Sequence, residues 1–263
     1  MKITAAITTR NRLEQLKKAL ESVENQTLLP DELIIIDDNS SDCTKEYCEK
    51  LQTISKIPMI YFHNDIQTGS NKCRNQAIER ANGEYIAFLD DDDEWFDEKL
   101  QIQYETAKKE NADLVYTAVK LSCENHKKIY FHNPFPFPHK IAIMLGNFVG
   151  ITSTMMINLK LLKKNGKFDD DIPMLQDYEL IIRLINNNAK IKGIKIPLVK
   201  YCPTNNKNIS VSPRKFFIAA KMILKKTPVI YKPLQFLGLL RIFTQKFVKS
   251  DKFRRKLLND RQI

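Results

Sequence analysis

The chain has 263 residues, of which 43% are hydrophobic and 28% charged, with a formal net charge of +11. That composition excludes a disordered chain and leaves room for one sizeable α/β domain, or a domain of about 200 residues with an appendage. The surplus charge lies at one end: from Arg214 onward there are fourteen Lys and Arg against two acids, whereas residues 1–213 are almost neutral, which argues against nucleic acid as a partner.

In chain order, KITAAITT (2–9) reads as a strand and residues 12–26 as an amphipathic helix with Leu13, Leu16, Leu20 and Val23 on one face. ELIIIDD (32–38) has the unbroken apolar run of a strand buried on both sides, followed by a helix over 42–54 and a strand over 59–64. A helix over 71–81, a strand over 84–90, a helix over 97–110 and a strand over 112–122 continue the alternation. The proline-rich HNPFPFPHK (132–140) suits an irregular loop. The small-residue stretch 147–158, helices near 159–165 and from Asp177 to Asn186, and a strand over 191–201 complete the body. Strands alternating with helices predict a largely parallel sheet of βαβ units.

No run of about twenty uncharged apolar residues occurs, so neither a membrane-spanning helix nor a secretory signal is expected. The five cysteines, Cys43, Cys48, Cys73, Cys123 and Cys202, are odd in number and scattered, which suits reduced thiols in a cytosolic compartment.

The chemistry concentrates where strands end. In an open α/β sheet, ligands bind beyond the carboxyl ends of the strands. There the sequence places TTRN (8–11), DDNSSD (37–42) and the four consecutive carboxylates Asp90–Asp93. Such a cluster is too acidic for bare phosphate. It suits a hard divalent cation shared between carboxylates and a diphosphate, since Mg2+ and Mn2+ take oxygen ligands. Plainer readings exist for each acid group: helix capping for Asp37–Asp42, a solvated turn for Asp90–Asp93, and dipole-favoured acids at a helix start for Asp177.

Asp37-Asp38-Asn39-Ser40, GSNKCRNQAI (69–78), GEYIAFLDDDDEW (83–95) and QDYELIIRL (176–184) together resemble family 2 of the inverting, nucleotide-sugar-dependent glycosyltransferases, over residues 2–200. The resemblance implies a GT-A (Rossmann-like) fold with a mixed, mostly parallel sheet flanked by helices. It also implies a UDP-linked or related nucleotide-sugar donor and Mn2+ or Mg2+ as cofactor. Thr8, Arg10, Asp38, Arg74, Asp90 and Asp91 are thereby placed around the nucleotide, with Asp92 and Asp90 as metal ligands. Asp91 fills the variable position of the family's Asp-x-Asp pattern, so the chemistry does not require its charge, and Asp93 supports its neighbours. Asp177 is implied as general base, although Gln176 stands where the family places an acid. The acceptor implied is a saccharide, free or carried on a polyprenyl diphosphate, of the kind used in bacterial surface polysaccharides. Two other classes compete: a nucleotidyltransferase, disfavoured because no glycine-rich, lysine-containing signature follows the first strand, and a membrane-associated scaffold of the same fold without activity.

The division expected is a catalytic domain over 1–205 and a basic, amphipathic helical tail over 206–263. Within the tail, Phe236, Leu240, Phe243 and Phe247 recur on one helical face. That face suits either an anionic membrane surface, making the protein peripheral on the inner face of the cell membrane, or packing on the body or a second copy.

Overall fold

The computed structural model describes residues 2–123, 126–130, 139–201 and 212–248. Its elements run β1 (Ile3–Thr9), α1 (Leu13–Glu24), β2 (Glu32–Asp37), α2 (Thr44–Ile54), β3 (Met59–His63), α3 (Ser70–Arg80), β4 (Tyr85–Asp90) and β5 (Glu94–Trp95). They continue with α4 (Lys99–Glu110), β6 (Leu114–Cys123), β7 (His126–Tyr130), α5 (His139–Leu145), β8 (Met155–Asn158), α6 (Leu159–Lys164), α7 (Gln176–Asn186) and β9 (Ile191–Tyr201). The chain then forms α8 (Pro213–Lys226), α9 (Lys232–Phe243) and a π-helical turn, Thr244–Val248.

Among the described residues these strands form one sheet in the order β3-β2-β1-β4-β8-β6-β9-β5, with β7 paired to β6 as a hairpin arm. The first four strands are parallel, β8 runs antiparallel between β4 and β6, and β6 and β9 are parallel. Every residue of β2 is buried, which is why ELIIID carries apolar side chains on both faces. Period-two alternation divides the core between those faces. Ala6, Ile34, Ile36, Ile86 and Phe88 point toward α3, α5, α7 and α8. Ile3, Ala5, Ile7, Leu33, Ile35, Ala87 and Leu89 point toward α1 and α4.

Three parts differ from the sequence reading. The stretch 147–158 ends in strand β8, whose MMIN is short enough to pass for coil yet is almost fully buried between two longer strands. Residues 139–145, assigned in part to a loop, are helical, because His139–Leu145 brings Ala142, Ile143 and Met144 into the core; residues 132–138 lie outside the described ones. The third is the tail. Phe216, Ala219, Ala220, Ile223 and Leu239 share one hydrophobic cluster with α3 and α7, so α8 and α9 add to the body's core.

The four residues grouped on one face by their spacing divide in α9 and the turn after it. Gln235, Gly238 and Leu239 are buried, Phe236 and Leu240 are exposed, and Phe243 and Phe247 pack on the cluster from its edge. Gly238 decides this. A Cβ there would run into the carbonyl of Met144, so the helix approaches α5 through its one residue without a side chain. Gly238→Ala is expected to cost about 2 kcal/mol of stability through overpacking, read as a lowered midpoint in denaturant titration. An unchanged midpoint would mean that α9 docks elsewhere.

Candidate active site

The ends of β1, β2 and β4 lie side by side, with Thr8 in register with both Ile36 and Asp90, and Thr9 beside Asp37. The loops that follow are fastened together. Asn11 and Asn39 both adopt left-handed backbone conformations, which Asn tolerates well, at φ 52° and 62°. The Asn11 N–H donates to Ser40 Oγ (2.9 Å) and its side-chain oxygen accepts from the Ser41 N–H (2.7 Å). Asp37 is fully buried, accepting from Tyr61 Oη (2.8 Å) and the Ser40 N–H (2.9 Å), with His63 Nδ1 at 3.2 Å.

Asp38 clasps the loop before α3: its carboxylate accepts from the Thr68 N–H (2.6 Å), Thr68 Oγ1 (3.0 Å) and the Gly69 N–H (2.9 Å). Burial raises the Asp38 pKa, but these donors outweigh it and hold the carboxyl below its ordinary range. Gly69, at φ 94°, provides the turn that starts α3. One turn on, Arg74 is 5% exposed; its Nη2 donates to Asp90 Oδ1 (2.6 Å) and the guanidinium lies over the Phe168 ring at 5.4 Å. Its Nη1 is buried without a hydrogen-bond partner, a cationic donor left over for a ligand.

The carboxylate run divides in two. Asp90 and Asp92 keep 29% and 18% of their side-chain surface open, whereas Asp91 and Asp93 are buried. Asp93 Oδ2 accepts from Ser153 Oγ (2.6 Å), and Ser153 Oγ in turn accepts from the Asp90 N–H (3.1 Å), so Asp93 fixes the start of the turn through the 3₁₀ segment Thr152–Thr154. Trp95 packs beneath, its Nε1 donating to the Ser153 carbonyl (3.1 Å).

Asp91 is not a spare charge at a variable position. It accepts from Thr9 Oγ1 (2.9 Å) and Arg12 Nη1 (2.9 Å), and the same Arg12 nitrogen reaches Asp92 Oδ2 at 3.0 Å. Burial pushes the Asp91 carboxyl up to about 6, Asp92 adds to this, and Arg12 and Thr9 pull it back. Asp91 therefore straps the acidic turn to the end of β1, and Arg12 is the internal counter-charge. Arg10, the arginine implied at the nucleotide, is exposed and open to a ligand; Arg12, two residues on, was missed. The only sequence signal for it was a second basic residue after the strand. Thr8 is half-buried at the mouth of the site.

Asp177 sits in the first turn of α7, after Leu175 in a left-handed conformation (φ 62°), and its Oδ1 accepts from the Tyr178 N–H at 2.8 Å. Burial raises its pKa, opposed by the Tyr178 N–H, then Arg74, then Lys246, while Asp90 adds to the rise. Asp177, Arg74 and Asp90 thus share one electrostatic neighbourhood. Lys246, from the tail, joins it with nothing in the local sequence to announce it.

Among the described residues no group of three or more His, Cys, Asp or Glu forms a closed metal cage. Two open carboxylates on one turn do fit a hard cation that keeps substrate phosphates among its ligands, and this donor set is all oxygen. Asp90 and Asp92 would hold it.

Residues 4–166 match the sequence model of Glycosyl transferase family 2. The putative teichuronic acid biosynthesis glycosyltransferase TuaG of Bacillus subtilis is 27% identical over 235 residues, covering 88% of this chain and 87% of that protein. Among solved structures, Staphylococcus aureus TarS 1–349 in complex with UDP-GlcNAc superposes with a TM-score of 0.76 at 21% identity, over 93% of this chain and 73% of that one. The mannosyltransferase PcManGT of Pyrobaculum calidifontis, in complex with GDP-Man and Mn2+, gives 0.65 at 15% identity, over 90% and 69% of the two chains. The sheet order and flanking helices described above are of this GT-A type.

Proposed function

The chain belongs to glycosyl transferase family 2, and from that premise we propose that it is an inverting enzyme moving a sugar from a UDP-linked donor to a glycan or lipid-linked saccharide, with Asp177 as general base. The observation that carries this reading is the neighbourhood at the strand ends. An Arg74 nitrogen without a partner, the open carboxylates Asp90 and Asp92, and a base candidate with raised proton affinity act on one another there. A scaffold without activity gives no reason to keep an unpaired buried guanidinium N–H, which is costly.

In this mechanism Asp177 accepts the proton of the acceptor hydroxyl as that oxygen attacks the anomeric carbon from the face opposite the leaving diphosphate. Arg74 Nη1 donates to the diphosphate. Asp90 and Asp92 would hold a Mn2+ or Mg2+ ion, and the chemistry this ion would supply is Lewis-acid stabilisation of the departing diphosphate. Thr8, Arg10 and Asp38 face the nucleoside end, with Asp38 also holding the Thr68–Gly69 loop in place. The TarS complex with UDP-GlcNAc and the PcManGT complex with Mn2+ support the donor and cation classes by analogy of fold. UDP is expected to raise the thermal midpoint by a few degrees in the presence of Mn2+ or Mg2+ and not in EDTA. A metal-independent shift, or none with any nucleotide, would remove the donor and cation assignments. Screening UDP-sugars for slow metal-dependent hydrolysis then identifies the sugar.

For the acceptor, the tail supports a carrier at an anionic leaflet. Val229, Ile230, Phe236, Leu237 and Leu240 are exposed at the start and along the outer side of α9, beside Lys232 and Arg241. Among the described residues no helix is long and apolar enough to cross a membrane, so contact would be interfacial. The protein is expected to sediment with vesicles containing anionic lipid at low salt, and Ile230→Glu with Phe236→Glu to abolish this without lowering the thermal midpoint. A salt-insensitive dimer in solution that ignores vesicles would instead assign this face to a second copy.

A further inference from the structure

Residues 165–175, between α6 and α7, form neither helix nor strand, yet three helices hold them. From α7, Arg183 donates through Nη1 to the carbonyls of Asn165 and Gly166 (2.7 Å each) and through Nη2 to that of Lys167 (2.6 Å). From α8, Lys226 pairs with Asp169. From α3, Asn71 Nδ2 donates to the carbonyls of Asp169 (2.8 Å) and Ile172 (3.2 Å). Asn75, also on α3, bonds the backbone of Phe168 twice: its Oδ1 accepts from the Phe168 N–H (2.9 Å), and its Nδ2 donates to the Phe168 carbonyl (2.8 Å) and to Asp170 Oδ1 (2.8 Å). Its side-chain amide thus pairs with Phe168 as the backbone of a neighbouring strand would.

The ring held in this way is 3% exposed and does two things. It packs edge to face on Phe88 of β4, centroids 5.5 Å apart, and it lies under the Arg74 guanidinium at 5.4 Å. Arg74 directly precedes Asn75, so the helix that grips the segment also carries the cation the ring supports. Asp90 engages Arg74 through Nη2 alone, at 2.6 Å, and Nη1 is buried without a hydrogen-bond partner. A bond to one nitrogen leaves a guanidinium free to turn about it, where a two-nitrogen fork would not. An aromatic face against the guanidinium plane limits that turning, and the attraction grows when both groups are out of water. A donor oriented beforehand spares a ligand the cost of ordering it.

We propose that Phe168 is a positioning residue for the donor diphosphate: it sets the plane of the Arg74 guanidinium so that Nη1 is presented to the phosphates, and Asn75 keeps the ring in place. This rests on the reading of Arg74 as the diphosphate donor. Its consequence is that the segment leading to Asp177 also serves the opposite substrate, through α3.

The test measures affinities for UDP and for uridine, which has no phosphate, on full-length protein with Mn2+. Phe168→Leu keeps apolar bulk and removes the ring; it is expected to weaken UDP by about three- to tenfold and to leave uridine unchanged. Phe168→Tyr, which retains the aromatic face, restores UDP affinity. In an Arg74→Met background Phe168→Leu costs nothing further, because one residue acts through the other. A merely structural role would weaken UDP and uridine alike, or add the same loss in both backgrounds. Either result overturns the proposal, as does parental UDP affinity in Phe168→Leu. Should Phe168→Leu fail to fold, Asn75→Ala decides by the same comparison, since it deletes both bonds that seat Phe168. Parental UDP affinity in Arg74→Met would remove the diphosphate contact itself, whereas loss there with an additive Phe168 effect removes only the positioning role.

Discussion

Asp177→Asn is expected to lower transfer by about 10²–10⁴-fold while leaving UDP binding and the thermal midpoint near those of the parent. The amide is isosteric, so α7 keeps its first turn, and its oxygen can still accept from the Tyr178 N–H as Asp177 Oδ1 does at 2.8 Å. Only proton acceptance is lost. Folding tolerates the change because burial already disfavours the charged carboxyl, which raises its pKa in the folded chain. A group held up in this way adds stability at low pH, below its unfolded pKa, and loses it as pH climbs through the raised folded value. The variant removes that slope. Relative to Asp177→Asn, the parent should therefore lose stability as pH rises from about 4 toward neutrality. Single-turnover rates and UDP affinity measured on one preparation separate chemistry from binding. Residual transfer above a few per cent would reassign the base.

The parts legible in the sequence were those whose signal is local. An apolar run ending in Asp marks β2 and β4, and a glycine before a helix start marks Gly69 and α3, so the acidic strand ends could be placed without coordinates. What could not be read depends on contacts between distant segments. The Arg12–Asp91 bond joins residues 79 apart, and the bond from Asp90 to Ser153 joins residues 63 apart; neither partner announces the other. Spacing in the tail grouped the bulky side chains of α9 on one face without deciding what covers it, and closeness of approach is set by a missing side chain at Gly238. β8 was too short for periodicity to register, since its burial comes from the strands on either side.

The division within Asp90–Asp93 makes the second large prediction, a contrast between neighbours. Asp92→Ala is expected to leave the thermal midpoint nearly unchanged, because Asp92 is at the open side and Arg12 keeps its bond to Asp91. It should abolish the metal-dependent UDP shift and lower turnover by at least about 10²-fold, the scale on which catalytic electrostatics act. Asp91→Ser should do the reverse. It removes the acceptor for Thr9 Oγ1 and Arg12 Nη1 inside a buried strap, at a cost of about 2 kcal/mol on the scale of hydrogen bonds to charged groups, while activity per folded molecule falls far less. Asp91→Asn should be milder than Ser, since the amide oxygen still accepts from Thr9 Oγ1. Chemical denaturation and UDP titration on the three variants separate the two roles. If Asp91→Ser proved as stable as the parent, the strap would carry no weight. If Asp92→Ala kept its metal-dependent shift, the cation would have to be held by Asp90 and the substrate alone.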